Sequence, residues 1–422
     1  MLARSVACSE GSYGSCSLVT ELLSRLEEFQ QCSIKNLQET GLYLLDNASP
    51  IVLEEFEERC DRLARALIAD GADAFVIDPG YMFKYFGNVS QPEWEGTCRS
   101  PSPWTSYIIL WEEHWNLYDT LKSLNVFPSL NRTPRIMVDE EMCDFIKCGL
   151  GNAGFEIVRP MGEVEHVRQI QSEKEVGILR AVNTGTVEVV RQMRKCELFH
   201  PYLPSATQVL LNLGLYPGLT ESQIAEVLDN TLPSASFEPF FDIVLFDENA
   251  ANAHGGTNGS KILEAETFVL IDVELRSIFS AIHLIFVARS SPHFLKSHLG
   301  MTQYRRVWDI VLEAQMQSRL QFRRPRPPQM WTSQLTGSIA TQAMAIHLPR
   351  VRHGIGIKAH ESPYLNKGNH ATLLKAGMTF ASEPGIYLVD KFGVRHEDIF
   401  LVQRDAEPIL LTGSQAQGPW NP

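Results

Sequence analysis

The sequence predicts an α+β protein in two main parts: an N-terminal α/β domain, then a larger domain of long helices and antiparallel strands. Three observations predict it. Between residues 50 and 160, helix-patterned stretches alternate with short β-rich runs, as they do in a layered α/β domain. From residue 172 two helical stretches come first and strands dominate afterwards, the pattern of an α+β domain. Finally, 422 residues at 44% hydrophobic supply enough apolar material for more than one core.

Residues 1–48 read as an N-terminal extension, polar and Ser-rich, with one helix-patterned stretch at 18–29, LVTELLSRLEEF. The N-terminal α/β domain spans 49–165. In it 52–71 is an amphipathic helix stopped by Gly71, and DAFVIDPG at 73–80 is a buried strand running into a Pro-Gly turn. SYIILW (106–111), RIMVDE (135–140) and FEIVRP (155–160) are further strands. The second domain spans 166–414. Its first helix, 172–195, opens on Ser172 with Glu175 three positions later, most of a capping box, and 220–232 starts from Thr220 by the same logic. Strands are expected at 240–246, 267–275, 278–288, 378–388 and 396–402, and a loop at 323–329, RRPRPPQ.

Composition excludes several classes of function. Lys+Arg 37 against Asp+Glu 50 gives a net charge of −13, which repels phosphate backbones, so no nucleic-acid partner is expected. The longest apolar run, 278–288, carries His283 and is about half the length of a membrane span, and the first residues make a poor signal peptide. The expectation is a cytoplasmic protein without membrane association. The eight cysteines form no CxxC pair and seven precede residue 150, which points to free thiols and away from a disulfide framework or a zinc site.

Polar groups with chemical potential cluster in the second domain. Asp272 lies inside an apolar strand, where an unpaired carboxylate costs several kcal/mol, so it needs a salt bridge or a metal. His353 and His360 flank Gly354 and Gly356, which permit close approach to a ligand; a surface His-rich loop reads the same way. Glu383 precedes Pro-Gly and fits an exposed turn, while Glu397 fits a solvated pair with Arg395. Together, carboxylates and imidazoles are what manganese, cobalt or zinc accept. Two such ions can activate a water and polarise a carbonyl, with nearby histidines moving a proton to a leaving amine.

HGIGIKAHESPYL at 353–365, SEPGIYL at 382–388 and GVRHED at 393–398 follow one another in an order and spacing that resembles the pita-bread metallopeptidases. The α/β domain in front resembles the aminopeptidase P, prolidase and creatinase branch. The resemblance implies a creatinase-like N-terminal domain and a pita-bread catalytic domain. It implies a metal-dependent exopeptidase or dipeptidase for small peptides, of the Xaa-Pro type, that forms a homodimer. The cofactor implied is a divalent metal, manganese first, with zinc or cobalt as alternatives, at one or two ions per chain. By this resemblance Asp272, His353, Glu383 and Glu397 are metal ligands, Glu397 bridging, and Glu383 also acts as the base-side carboxylate. His360 contacts substrate and handles the proton, His254 in AHGGTNG stabilises the oxyanion, and Arg395 holds Glu397 by an ion pair.

The chain departs from the family pattern in three places. Where the second metal aspartate belongs, eleven residues after Asp272, stands His283, the remaining candidate ligand. Segment 284–348 matches the family poorly, and 196–214 reads as an insertion. A neutral imidazole for a carboxylate removes one negative charge, so the expectation is one tight ion and low activity that rises in His283→Asp. A catalytically impaired pita-bread homologue and a metal-independent creatinase-like C–N hydrolase are the alternatives.

Overall fold

The computed structural model describes residues 13–88, 112, 114–124, 126–127, 130–160, 162–196, 215–264, 267–277, 280–288, 298–322, 352–366, 369 and 372–419. The expected strand at 106–111, the loop at 323–329 and nearly all of 196–214 lie outside these residues, as does much of 284–348.

The first helix, α1 (Tyr13–Asn36), does not stand apart as a separate lead. Phe29 on α1, with Leu37 and Leu44 in the turns that follow, enters the same core as Ile178, Leu179 and Val182 of the second domain. Two of those three, Phe29 and Leu37, are fully buried, and residues of this kind gain about 1.5–3 kcal/mol each from leaving water. Cys32 on α1 is disulfide-bonded to Cys196, with Cα atoms 5.8 Å apart. This corrects the all-thiol reading, although Cys60, Cys143 and Cys148 are free. The partners are 164 residues apart in sequence, so only the packing of α1 reveals them.

The N-terminal domain is the expected layered α/β unit. Strands β1 (Ala74–Val76), β2 (Arg135–Val138) and β3 (Glu156–Val158) pair in parallel in that order. Around them lie α2 (Leu53–Ala69), α3 (Tyr81–Gly87), α4 (Leu117–Ser123) and α5 (Asp144–Asn152). Asp73, just before β1, accepts from the Arg135 amide at 2.7 Å and pairs with Arg132, pinning the sheet edge. Helix α6 (Glu163–Gln169) leads out of the domain, its first amides donating to Asp70 at 3.0 and 2.9 Å. Arg59 of α2 joins the two domains by a buried ion pair to Glu175, 2.9 Å, at the start of the next helix.

That helix is α7 (Glu173–Arg194), and both halves of its capping box form: Ser172 accepts from the Glu175 amide, and Glu175 from the Ser172 amide. Helix α8 (Glu221–Thr231) has the same reciprocal cap from Thr220 and Gln223. Strands β4 (Phe237–Phe246), β5 (Val269–Ser277) and β6 (Ser280–Ala288) then form an antiparallel meander. Helix α9 (His298–Gln321) follows. Beyond it, β7 (Arg352–Gly354), β8 (Thr379–Ser382), β11 (Asp398–Leu401) and β12 (Ile409–Leu410) make a four-stranded antiparallel sheet, and β9 (Gly385–Leu388) pairs with β10 (Phe392–Arg395) as a hairpin. β7, β8, β10 and β11 are buried throughout. Gly393 lets β10 lie against the turn at Asp247–Ala251: a Cβ there would stand 1.9 Å from the Ala250 carbonyl. Among the described residues no helix is long and apolar enough to cross a membrane.

Candidate metal centre

The site is assembled at strand ends, where short buried strands fix the backbone and leave the next side chain to point out of the sheet. Ala381 on β8 pairs with His353 on β7, and Ser382 with Asp398 on β11. Glu383 therefore leaves the end of β8 beside Glu397, which precedes β11. His360 returns to the same place on the loop that follows β7, its ring 4.2 Å from that of His353. Ligand atoms of His353, His360 and Glu383 all lie within 4.8 Å of one another, and among the described residues this is the group able to hold a metal ion.

His353 is 1% exposed, and its Nδ1 lies 3.0 Å from the Gly354 carbonyl, which only accepts. Nδ1 thus carries the proton, and Nε2 presents its lone pair to Glu383 Oε1 at 3.3 Å. Two acceptors facing each other need a shared cation, either a proton or a metal ion. Burial alone would raise the Glu383 carboxyl, but a cation shared with His353, here a proton on Nε2, and the nearby Arg395 and His360 outweigh it and hold the group below its ordinary value.

Asp272 forms the opposite side. Burial pushes its carboxyl up to about 6, the Arg395 charge opposing and Glu383 adding to the rise. Its Oδ2 is bound by the Arg395 guanidinium, while Oδ1 is buried with no hydrogen-bond partner among the described residues. Arg395, expected beside Glu397, also donates to Tyr387 Oη at 2.9 Å and to the Ala253 carbonyl at 2.5 Å. The last bond anchors the loop that carries His254, which is exposed.

The sequence-derived candidates therefore meet unevenly. His353 and Glu383 come together, joined by His360, which the resemblance placed on the substrate side. Glu397 is 2% exposed and adjoins them by register; Asp272 is coupled electrostatically to Glu383. His283 pairs with Arg276, whereas the partner of Asp272 on β6 is Val287. Four positions along a strand are about 13 Å, so the register does not set His283 across from Asp272; its side chain lies outside the described part. Tyr387 is a participant that residue-by-residue reading overlooked. The alternation in GIYL was a signal, since β9 and β10 pair in register Gly385↔Arg395 and Tyr387↔Gly393. Oxygen and imidazole donors around a buried, partly unpaired carboxylate fit a divalent ion.

Comparison with known proteins agrees with this geometry. Residues 203–404 match the model for metallopeptidase family M24. An uncharacterized peptidase of Schizosaccharomyces pombe is 28% identical, the alignment covering 94% of this chain and 90% of the relative. The Xaa-Pro dipeptidase from Bacillus anthracis superposes with a TM-score of 0.66 at 19% identity, over 85% of this chain and 98% of that one. The prolidase from Thermococcus sibiricus gives 0.68 at 19% identity, over 86% and 98%. Residues 203–404 thus match metallopeptidase family M24, and most of the chain shares the fold of the solved Xaa-Pro dipeptidase and prolidase.

Proposed function

We propose that this chain is an exopeptidase or dipeptidase for short Xaa-Pro peptides, working as a homodimer with one tightly held divalent ion per chain, manganese before zinc or cobalt. The observation that carries the reading is the convergence of His353, His360 and Glu383, two imidazoles and a carboxylate, beside the buried Asp272–Arg395 pair. His353, Glu383 and Glu397 would hold the ion, with Asp272 beside them. When bound, an ion there would lower the pKa of water and polarise a carbonyl. Glu383 takes the proton from the attacking water. His360, exposed at the mouth, returns a proton to the leaving nitrogen, and His254 donates to the oxyanion from its anchored loop. Arg395 neutralises Asp272 and leaves it one free oxygen, which supports one ion better than two. The proline preference is supported by likeness to proteins named Xaa-Pro dipeptidase and prolidase.

The test is elemental analysis of the purified protein, followed by chelation, reloading with manganese, and hydrolysis of Ala-Pro against Ala-Ala. One ion per chain, activity lost on chelation and regained with manganese, and faster cleavage of Ala-Pro are expected. Hydrolysis indifferent to chelation would support the creatinase-like alternative, and metal binding without hydrolysis the impaired one.

A further inference from the structure

Where the N-terminal domain meets the His360 loop, charged residues form a connected set that hydrolysis itself does not use. The loop 354–361 leaves β7 and folds back on it. The Glu361 amide donates to the Gly354 carbonyl at 3.0 Å, and the Gly354 amide to the Pro363 carbonyl at 3.1 Å. That return brings His360 beside His353. The next side chain, Glu361, turns inward, 2% exposed, and its Oε2 meets Nη1 of Arg168 on α6 at 3.1 Å. Its carboxylate fills the space under Gly356, where a Cβ would stand 2.7 Å from Oε1. The loop is therefore closed around one buried carboxylate, and its counter-charge comes from a helix of the inter-domain connection.

A second tie lies nearer solvent. Lys358 Nζ is 2.8 Å from Glu141 and 3.4 Å from Glu140, both just after β2, and Glu140 is also 3.6 Å from Arg168. Glu141, Lys358, Glu140, Arg168 and Glu361 thus alternate in sign from the N-terminal sheet to the residue after His360. A buried ion pair is a poor source of net stability compared with apolar packing, but its geometry is demanding, and a demanding contact beside a catalytic loop acts on position.

We propose that Arg168, Glu361 and Lys358 are positioning residues, through which the N-terminal domain fixes the place of the His360 imidazole relative to His353 and Glu383. The kinetic part of this proposal rests on the peptidase reading; the loop's placement does not. The test combines amide hydrogen exchange, followed by mass spectrometry on the full chain, with steady-state kinetics of the manganese-loaded protein. In Arg168→Gln, exchange across 354–362 is expected to accelerate about tenfold or more, while β8 and β11 keep their protection. With His360 misplaced, kcat falls roughly 30-fold or more with little change in KM. Arg168→Lys, which keeps the charge, recovers part of both, and Lys358→Met shifts both in the same direction by less. Unchanged exchange across 354–362 in Arg168→Gln overturns the proposal, and so does acceleration spread equally over β8 and β11. If Arg168→Gln does not fold, Lys358→Met and the double variant Glu140→Gln/Glu141→Gln decide by the same readings, since these acids are about half exposed. A parent protein that hydrolyses no peptide removes the peptidase reading and leaves the exchange result to decide this one.

Discussion

One wall of the site comes from the sheet of β7, β8 and β11, the other from the β5–β6 hairpin and β10, and the two differ in what fixes them. In the first, every strand is buried on both faces, so a slip of one residue would bring wrong side chains into the core. His353, Glu383 and Glu397 are carried by that register. In the second, the pairing of β5 with β6 shifts at an irregularity between Arg276 and Ser277, and the register sets Val287 across from Asp272. Asp272 itself is held by a cation, Arg395. The candidate centre is thus fixed on one side by core packing and on the other by an ion pair.

The comparison breaks most severely if the first wall is altered. Glu383→Gln removes an anionic donor and the proton acceptor together, and is expected to abolish tight metal binding and cut kcat/KM by about 10²–10⁴-fold. Calorimetric titration with manganese and peptide assays check it; retained affinity would mean that the first wall is not the centre.

Next is the tie across the second wall. Arg395→Met leaves Asp272 buried without its charge partner, a change that costs about 3–5 kcal/mol. Urea unfolding should show this loss, and the double variant Asp272→Asn/Arg395→Met should recover much of it. A single variant as stable as the parent would show that the pair does not hold the walls together.

A smaller effect is expected on the hairpin. With His283 opposite Arg276, His283→Asp should leave the tight metal count at one per chain and activity near that of the parent, contrary to the rise expected from family spacing. A count of two by elemental analysis would instead show the hairpin paired in another register in solution.

The smallest effect belongs outside both walls and calibrates the others. The hydrogen bond from Arg132 holds the Asp73 carboxyl below its ordinary 3.8, against a smaller opposing contribution from burial and with help from the Arg135 amide. A depressed folded pKa stabilises the protein above the unfolded value, and the gain is lost as pH falls through the folded one. Asp73→Asn should therefore be slightly less stable than the parent at pH 7, and the gap should close below about pH 4. A gap that widens in acid would contradict the sign.

Much of the backbone around the candidate centre was legible because it rests on local chemistry. Ser172 with Glu175 announced a helix start, and the Gly-rich run from His353 to Glu361 announced a loop that doubles back. Asp272 was rightly read as a carboxylate in need of a partner, and a partner is there. What stayed hidden depends on non-local geometry. Counting eleven residues from Asp272 reaches His283, whereas the strand pairing sets Val287 across from Asp272 and Arg276 across from His283. Cys32 and Cys196 meet only after α1 packs, and Arg395 reaches Asp272 across two sheets rather than along its own strand.

The placement of α1 also bears on how the chain is made. Phe29 and Leu37 bury themselves against α7, which begins at Glu173, more than a hundred residues later. At a synthesis rate of roughly 5–20 residues per second, their apolar face waits on the order of ten seconds for a partner not yet translated. The α/β domain between them can close meanwhile, so one of the first helices to leave the ribosome is among the last to dock. A fragment ending before α7 would leave the apolar face of α1 uncovered, a natural target for holding chaperones.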